Sequence, residues 1–209
     1  MLRFISRSIV VQIVCLTVGL IILGIVAVGA STYMRLKEDV MQTATMDTER
    51  GIRSMAILYQ LKVGGTTLDI QNDELKSVSR PSIGTLLDFD LVDRTGMAIG
   101  GVATVFQAQG TDFVRTSTSV KNEKGERAVG TKLAVDSPAY QNVTKGQSYI
   151  GPAILFGKSY MAGYMPVLSK KGDAVGILFV GVPMDVYQGH IDGLRDMILM
   201  VGGAVIVVF

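Results

Sequence analysis

The sequence contains few of the residues from which disulfides and metal sites are built. Its 209 residues include one cysteine, Cys15, and one histidine, His190. A single cysteine cannot close an intramolecular disulfide or supply a cysteine-rich zinc site, and one histidine cannot complete the usual metal-ligand sets. We therefore expect neither a metal nor another cofactor.

An excess of charge of one sign is also lacking. The 20 basic residues are balanced by 18 acidic ones, for a net charge of +2. This balance leaves no cationic surface for phosphate backbones, so we expect no nucleic-acid partner. A mean hydropathy of +0.39 excludes a disordered chain.

A long uncharged run near the N-terminus predicts a membrane span. Residues 9–30 carry no charge, and as a helix at ~1.5 Å per residue they would cover the ~30 Å hydrocarbon core of a bilayer. A cleaved signal peptide is the alternative, because Arg3 and Arg7 precede the run and small residues follow Val28. We favour the uncleaved anchor, since the apolar region of a signal peptide has only ~7–15 residues.

The flanking charges predict the orientation of this span. Arg3 and Arg7 precede it and no acidic residue occurs before Glu38, so the positive-inside rule places residues 1–8 in the cytoplasm. Residues 31–192 would then lie outside the inner (plasma) membrane. We expect the apolar residues within 193–209 to begin a second span that the sequence truncates, which would make this chain a fragment.

The exported segment begins with a pattern typical of a long helix. No proline occurs before Pro81, and Gly64-Gly65 is a helix stop. Between these points an apolar stripe recurs at helical spacing, which predicts one helix over 31–63 that uses this face for core or dimer contacts. The stripe consists of Tyr33, Leu36, Val40, Ala44, Ile52, Met55, Ala56, Tyr59 and Val63.

The remainder of the segment resembles strands divided by glycine turns. Before the strands, Asn72 or Asp73 is a candidate cap for a short helix through Val78, and Ser137-Pro138 predicts another short helix that ends near Gly146. The predicted strands are Leu86–Val92, Ile99–Gln107, Phe113–Val120, Gln147–Phe156, Tyr160–Leu168 and Ala174–Val182. Short turns between sequential strands require antiparallel pairing. The prediction is an α+β fold with a five- to six-stranded antiparallel sheet, flanked by two membrane spans.

Several stretches resemble a known family. They are DFVRTSTSV (112–120), GERAVGT (125–131), SPAY (137–140), GQSYIGPAILFGKSYMAGYMPV (146–167) and KKGDAVGILFVGVP (170–183). Together they resemble the single, Cache-3-like extracytoplasmic Cache sensor domains of methyl-accepting chemotaxis receptors and related sensor kinases and cyclases. The resemblance covers residues 86–184.

This resemblance implies several further properties. It implies a PAS-like fold, in which a central antiparallel sheet packs on the long N-terminal helix and a small-molecule pocket lies between the sheet and its loops. It also implies a homodimer formed through the long helices, and a cytoplasmic signalling module after the second span.

Arg115 is the first candidate ligand-binding residue. On a strand, Phe113, Arg115 and Ser117 share one face. An arginine among apolar residues can form a bidentate pair with a carboxylate, and burying it without a partner is costly. Arg115 and Ser117 are therefore predicted to bind an anion; a surface pair between Arg115 and Asp112 is the alternative.

Tyrosines supply most of the other candidates. Tyr160 and Tyr164 alternate onto one strand face, and Tyr149 lies on the preceding strand. Phenolic hydroxyls in an apolar wall can orient a small ligand, although structural roles in the core are an alternative for each. Lys158 lies in a turn where an anion could bind, and Tyr140 could close the pocket from the short helix.

The sequence offers no catalytic set. The stretch GPAILFGKS (151–159) has five residues where a Walker A loop requires four, and strand residues follow it. We identify no Ser/His/Asp set and no nucleophile elbow, so we do not expect an enzyme.

Two functions fit these observations. The first is a chemotaxis or signal-transduction receptor whose exported domain binds a small organic anion, most plausibly a short carboxylate. The second is an interaction or dimerisation module of a sensor kinase or cyclase that binds a partner protein and no metabolite.

Overall fold

The computed structural model describes residues 2–72, 74–81 and 89–185, together with positions 187 and 193. The described residues fall into two compact units. One includes the N-terminal residues up to Met41, and the other runs from Gln42 to Asp185. The predicted second span and His190 lie outside the described residues.

The N-terminal helix, α1, spans Leu2–Lys62. Its predicted apolar face is buried where it passes the sheet, with Met55, Ala56 and Tyr59 almost fully enclosed. The helix ends before Gly64, and Gly65 takes a φ of 77° that favours glycine. Within the described residues, one helical stretch, Ile9–Lys62, is long and apolar enough to cross a membrane by length and composition.

Seven strands and two short helices follow α1, and the predicted α+β class is confirmed. The short helices are α2 (Asp90–Ile99) and α3 (Pro138–Val143). The strands are β1 (Thr67–Gln71), β2 (Glu74–Ser79), β3 (Val102–Gln109), β4 (Asp112–Thr118), β5 (Tyr149–Leu155), β6 (Lys158–Leu168) and β7 (Ala174–Pro183). Five of these strands, β3 to β7, lie where the sequence pattern predicted strands.

The sheet is mixed, whereas an antiparallel sheet of five or six strands was predicted. Its order is β1-β2-β6-β7-β3-β4, and β5 also pairs with β6. The parallel pair joins Val78 to Val167 and Ser79 to Leu168. One edge of β6 is therefore shared, because β5 occupies it from Lys158 to Tyr164 and β2 occupies its far end.

Two local predictions between α1 and β3 are wrong. Asn72 was predicted to cap a helix through Val78, but it takes a φ of 51° in the turn of the β1–β2 hairpin, and residues 74–79 form β2; Asp73 lies outside the described residues. The strand predicted over 86–92 is also replaced, where it is described, by the start of α2. Leu91 and Val92 bury the inner face of that helix.

The core forms two clusters, one on each face of the sheet, as alternation along β6 and β7 requires. Met165, Val167 and Leu178 belong to the cluster that contains α1 residues, whereas Tyr164 and Phe179 belong to the other.

Gly163 lets α1 approach the sheet closely. A Cβ at this position would lie 2.8 Å from Thr48 Cγ2 and 2.9 Å from Ile52 Cγ1. The backbone of β6 thus lies directly against α1 at Gly163, while the next residue, Tyr164, points to the opposite face.

Candidate functional site

A cavity of about 370 Å³ opens on the face of the sheet opposite α1. Its lining comes from four parts of the chain: β4, the segment after β4 that leads into α3, β5 with the turn that follows it, and β6. The lining residues are Arg115, Lys132, Leu133, Ala134, Ser137, Pro138, Ala139, Tyr149, Pro152, Ala153, Ile154, Leu155, Phe156 and Tyr164.

Arg115 is the most deeply buried charged residue of this lining, with 5% of its surface exposed. Its Nη1 donates to Thr131 Oγ1 at 2.7 Å, and its guanidinium carbon lies 4.9 Å from the centroid of the Phe106 ring. Its Nε is buried and has no hydrogen-bond partner among the described residues. A buried donor without an acceptor is costly to a folded protein.

Arg115 keeps its charge in this environment. Burial lowers the pKa of Arg115, and the nearby Tyr164 side chain partly opposes that shift. Because the guanidinium starts from a pKa above 12, it stays protonated at physiological pH. The predicted surface pair with Asp112 is not formed, since Asp112 accepts instead from Lys132 Nζ at 2.6 Å.

Two of the predicted tyrosines line the cavity beside Arg115. The ring centroids of Tyr149 and Tyr164 lie 6.3 Å apart, and Tyr164 also packs against Phe179 at 4.9 Å. Burial raises the pKa of Tyr164 to about 12, although the charge of Arg115 partly offsets that rise. Tyr164 is therefore a neutral phenol at neutral pH and can act as a hydrogen-bond donor.

A β-bulge separates Ser117 from Arg115. Arg115 lies opposite Phe106, but Ser117 lies opposite Val105, so Thr116 is the extra residue of β4. Val105 packs in the cluster that contains α1 residues, and Phe106 packs in the other. The prediction that Arg115 and Ser117 share a face is wrong for this reason, and Ser117 is not among the residues that line the cavity.

The other three predicted residues lie outside the lining as well. Tyr140 packs its ring against Phe113 and donates its hydroxyl to the carbonyl of Thr111 at 2.6 Å. Tyr160 is buried elsewhere on β6, and Lys158 is exposed at the start of that strand. The structure thus brings together Arg115, Tyr149 and Tyr164 of the seven candidates.

Sequence reasoning missed much of the cavity wall. Lys132 and Leu133 belong to an irregular segment with no periodic pattern, whereas 152–156 was identified only as a strand and its turn. No sequence pattern marked Phe156 as part of the wall. Phe156 takes a φ of 47°, a conformation that non-glycine residues rarely adopt.

Tyr164 also borders a second, smaller cleft of about 100 Å³. This cleft lies against α1 and is lined by Ile52 and Arg53 of that helix, and by Glu74 and Ser148 from the sheet side. Tyr164 is therefore a lining residue of both the ligand-sized cavity and a cleft next to α1.

Acidic, histidine and cysteine side chains do not gather into groups of three or more that could hold a metal anywhere in the described part of the chain.

A comparison with protein families decides the assignment. The model of the Cache 3/Cache 2 fusion domain matches residues 36–208. The chain belongs to this family. The resemblance inferred from the sequence motifs is thereby confirmed, and the cavity lies in a Cache domain.

Solved structures similar to this Cache domain include domains of proteins from several bacteria. The Escherichia coli DcuS sensor domain is 13% identical to this chain, with a TM-score of 0.37. The match covers 50% of this chain and 71% of the DcuS domain. The periplasmic domain of RsbU from Chlamydia trachomatis is 7% identical to this chain, with a TM-score of 0.46. The match covers 80% of this chain and 56% of the RsbU domain.

A third similar structure contains a ligand. It is the ligand-binding domain of the Campylobacter jejuni chemoreceptor Tlp3 in complex with L-valine, which is 12% identical with a TM-score of 0.43 and covers 80% of this chain and 60% of its own. This Cache domain thus spans less than two thirds of the RsbU and Tlp3 domains. No curated protein matches the sequence. The family assignment rests on the match over residues 36–208.

Proposed function

We propose that this chain is the sensor portion of a transmembrane receptor whose Cache domain binds a small organic anion, a short carboxylate, at Arg115. Cache domains are extracytoplasmic sensor domains, and this chain has the cavity that such a role requires. The observation that carries the proposal is the buried Arg115 guanidinium, which lines the cavity and has an Nε without a partner among the described residues.

The position of Arg115 suits carboxylate binding better than a structural role. A buried charge without a counter-ion is costly in a folded protein, and charged groups in such places are normally paired. An incoming carboxylate would supply the missing negative charge and accept from Nε. Tyr149 and Tyr164 then supply phenolic hydroxyls that fix the orientation of the ligand.

The contact between β6 and α1 provides a route from ligand binding to the helix. Tyr164 lines the cavity, and the preceding residue, Gly163, lies against Thr48 and Ile52 of α1. A ligand that binds one arrangement of β6 and α1 more tightly shifts the population toward it. We propose that this shift passes along α1 toward the predicted span at residues 9–30, in a homodimer, to a cytoplasmic chemotaxis or related signalling module.

Calorimetric titration of the full chain in lipid nanodiscs with a panel of short carboxylates and amino acids tests the binding step. We expect at least one carboxylate to bind, and Arg115→Met to weaken that binding about 10- to 100-fold, because a hydrogen bond to a charged group contributes about 1.5–3 kcal/mol.

Arg50→Ala is the matched control, since Arg50 is an exposed arginine whose ion pair with Asp47 lies within α1. It should leave the affinity unchanged. Binding that survives Arg115→Met at full strength contradicts the site. Failure of every small molecule, with capture of a defined periplasmic protein instead, would support the interaction-module alternative.

A further inference from the structure

The charges around the cavity limit which anion it can hold. Among the described lining residues the ionisable side chains are Arg115, Lys132, Tyr149 and Tyr164, and none is acidic. Lys132 is already paired with Asp112 and its side chain is 61% exposed. The wall therefore offers one uncompensated positive charge, at Arg115, and no carboxylate for a ligand's ammonium group.

Apart from Arg115, Lys132, Ser137 and the two tyrosines, the wall is apolar. Residues 152–156 belong to the lining, and Leu133, Ala134, Pro138 and Ala139 add apolar residues from the segment before β5. Leu155 shares the sheet face of Tyr149, lines the cavity, packs against the core cluster on that side and is half-buried. An apolar side chain of this size gains free energy when a ligand covers it.

The backbone of Phe156, one of the apolar lining residues, is strained. Its φ of 47° lies in the left-handed region, where a large side chain is strained by about 1–3 kcal/mol. Glycine or asparagine would relieve that strain in the turn before β6. The ring nevertheless occupies this position and lines the cavity, next to the equally apolar Leu155.

We propose that the ligand is a monocarboxylate with a branched or aromatic apolar body and without an amino group. This inference rests on the proposed function and specifies the ligand class of the same site. The carboxylate pairs with Arg115, and the apolar body covers Leu155 and Phe156.

Two other classes of carboxylate fit the wall less well. An α-amino acid would bury its ammonium group without an acidic partner, which is costly. A dicarboxylate would place its second charge against residues 152–156 or would have to displace Asp112 from Lys132. Both classes should therefore bind more weakly than a monocarboxylate of similar size.

A matched ligand series tests the proposal by calorimetric titration of the full chain in lipid nanodiscs, with empty nanodiscs as the blank. 4-Methylpentanoate has the proposed form. L-Leucine adds only an α-ammonium group to the same skeleton, 4-methylpentanamide removes the charge, and succinate replaces the branched end with a second carboxylate. We expect 4-methylpentanoate to bind at least about tenfold more tightly than each of the others, as an unpaired buried polar group costs about 1–3 kcal/mol.

A pair of variants locates the apolar contact. Leu155→Ser should weaken 4-methylpentanoate binding about three- to tenfold, because part of the free energy of covering a leucine is lost. Met97→Ser is the control, since Met97 is an apolar residue that lies on α2 and does not line the cavity. It should not change the affinity.

The outcomes separate this inference from the proposed function. If L-leucine or succinate binds as tightly as 4-methylpentanoate or more tightly, and Arg115→Met weakens that binding about 10- to 100-fold, the ligand class is wrong and the anion site stands. Equal weakening by Leu155→Ser and Met97→Ser also overturns the ligand class. If no carboxylate binds, both proposals are overturned.

Discussion

Arg115 is buried and charged, and its Nε has no partner among the described residues. These properties lower the stability of the folded protein but favour the binding of an anion. Among the described residues, Thr131 accepts a hydrogen bond from the buried guanidinium and the Phe106 ring packs against it. Replacing a buried charge with an apolar side chain of similar volume is often neutral or stabilising. Substitution of Arg115 by an apolar residue should therefore change the unfolding free energy little if Arg115 serves ligand binding, and lower it if Arg115 serves the structure.

We predict that Arg115→Met leaves the unfolding free energy of the chain without ligand unchanged or higher, within about 1 kcal/mol, while it weakens ligand binding about 10- to 100-fold. Urea denaturation followed by circular dichroism measures the first quantity. Arg115→Lys is the companion variant, because it keeps the charge and loses the planar donor geometry. A loss above about 3 kcal/mol in Arg115→Met would instead make Arg115 a structural residue.

Tyr164 makes the folded state sensitive to alkaline pH. Its pKa is raised to about 12, mainly by burial, so between pH ~10 and 12 the folded state holds a proton that the unfolded state has lost. Stability is then fully present below pH ~10 and falls as the pH rises through 12. Burial also raises the pKa of Tyr59 and Tyr160, which adds to the same trend.

We expect the unfolding free energy of the unmodified chain to fall between pH 10 and 12, and Tyr164→Phe to make that fall smaller by roughly 2 kcal/mol. Urea denaturation midpoints at a series of pH values measure the slope. Tyr140→Phe is the control, because Tyr140 is only half-buried and its hydroxyl donates to Thr111. Identical slopes for Tyr164→Phe and the unmodified chain would show that Tyr164 is accessible to water.

At the scale of elements, the packing of β6 on α1 depends on the absence of a side chain at Gly163. The Cβ of an alanine there would approach Thr48 and Ile52 to less than 3.0 Å. Both neighbours belong to a buried helix face, so relief requires α1 or β6 to move. Overpacking of this kind typically costs about 1–3 kcal/mol.

We predict that Gly163→Ala lowers the unfolding free energy by about 1–3 kcal/mol, and that it alters ligand affinity because Tyr164 follows directly. Gly64→Ala is the matched control, since a Cβ at Gly64 meets no atom within 4 Å. Denaturation midpoints and titrations of both variants give the comparison. Equal effects from the two substitutions would contradict a close helix–strand contact.

The elements also show which parts of the fold the sequence could predict. The stripe that includes Met55, Ala56 and Tyr59 predicted α1, because helical periodicity persists over many residues. Leu91 and Val92 fit both an alternating strand and one face of α2, and a short apolar run does not distinguish these. The parallel contact of β2 with β6 involves two residue pairs distant in sequence, and no local pattern encodes it.

The candidate site was predictable in part for a similar reason. Arg115 stood out because a charged residue within an apolar strand requires a partner. Ser117 was misplaced because Arg-Thr-Ser carries no mark of the extra residue that forms the bulge. The 132–139 wall could not be found by periodicity, since it belongs to an irregular segment that only the tertiary fold brings to β5.

At the scale of the whole molecule, the charges beside the predicted span set the expected orientation of the chain. The predicted span at 9–30, with Arg3 and Arg7 before it, places the Cache domain outside the cytoplasm. Protease added to intact spheroplasts should then cleave the domain within residues 42–185, and mature protein should retain residues 1–30.

Immunoblotting with tags at either side of the predicted span measures both results. A cytoplasmic reporter protein is the control for spheroplast integrity. Protection of the domain from protease would reverse the orientation, and an N-terminus that begins after residue 30 would replace the anchor with a cleaved signal peptide.

The shared edge of β6 has a consequence for how such a sensor can diversify. Because β5 and β2 occupy different lengths of that edge, insertions or deletions in the hairpin that carries the cavity wall leave the hydrogen bonds to β2 intact. The β6 residue at the helix contact, Gly163, faces away from that wall. The residues that set ligand specificity and the residues that join β6 to α1 can thus change independently during evolution. Relatives with divergent 132–156 segments should still have glycine or a similarly small residue opposite Thr48.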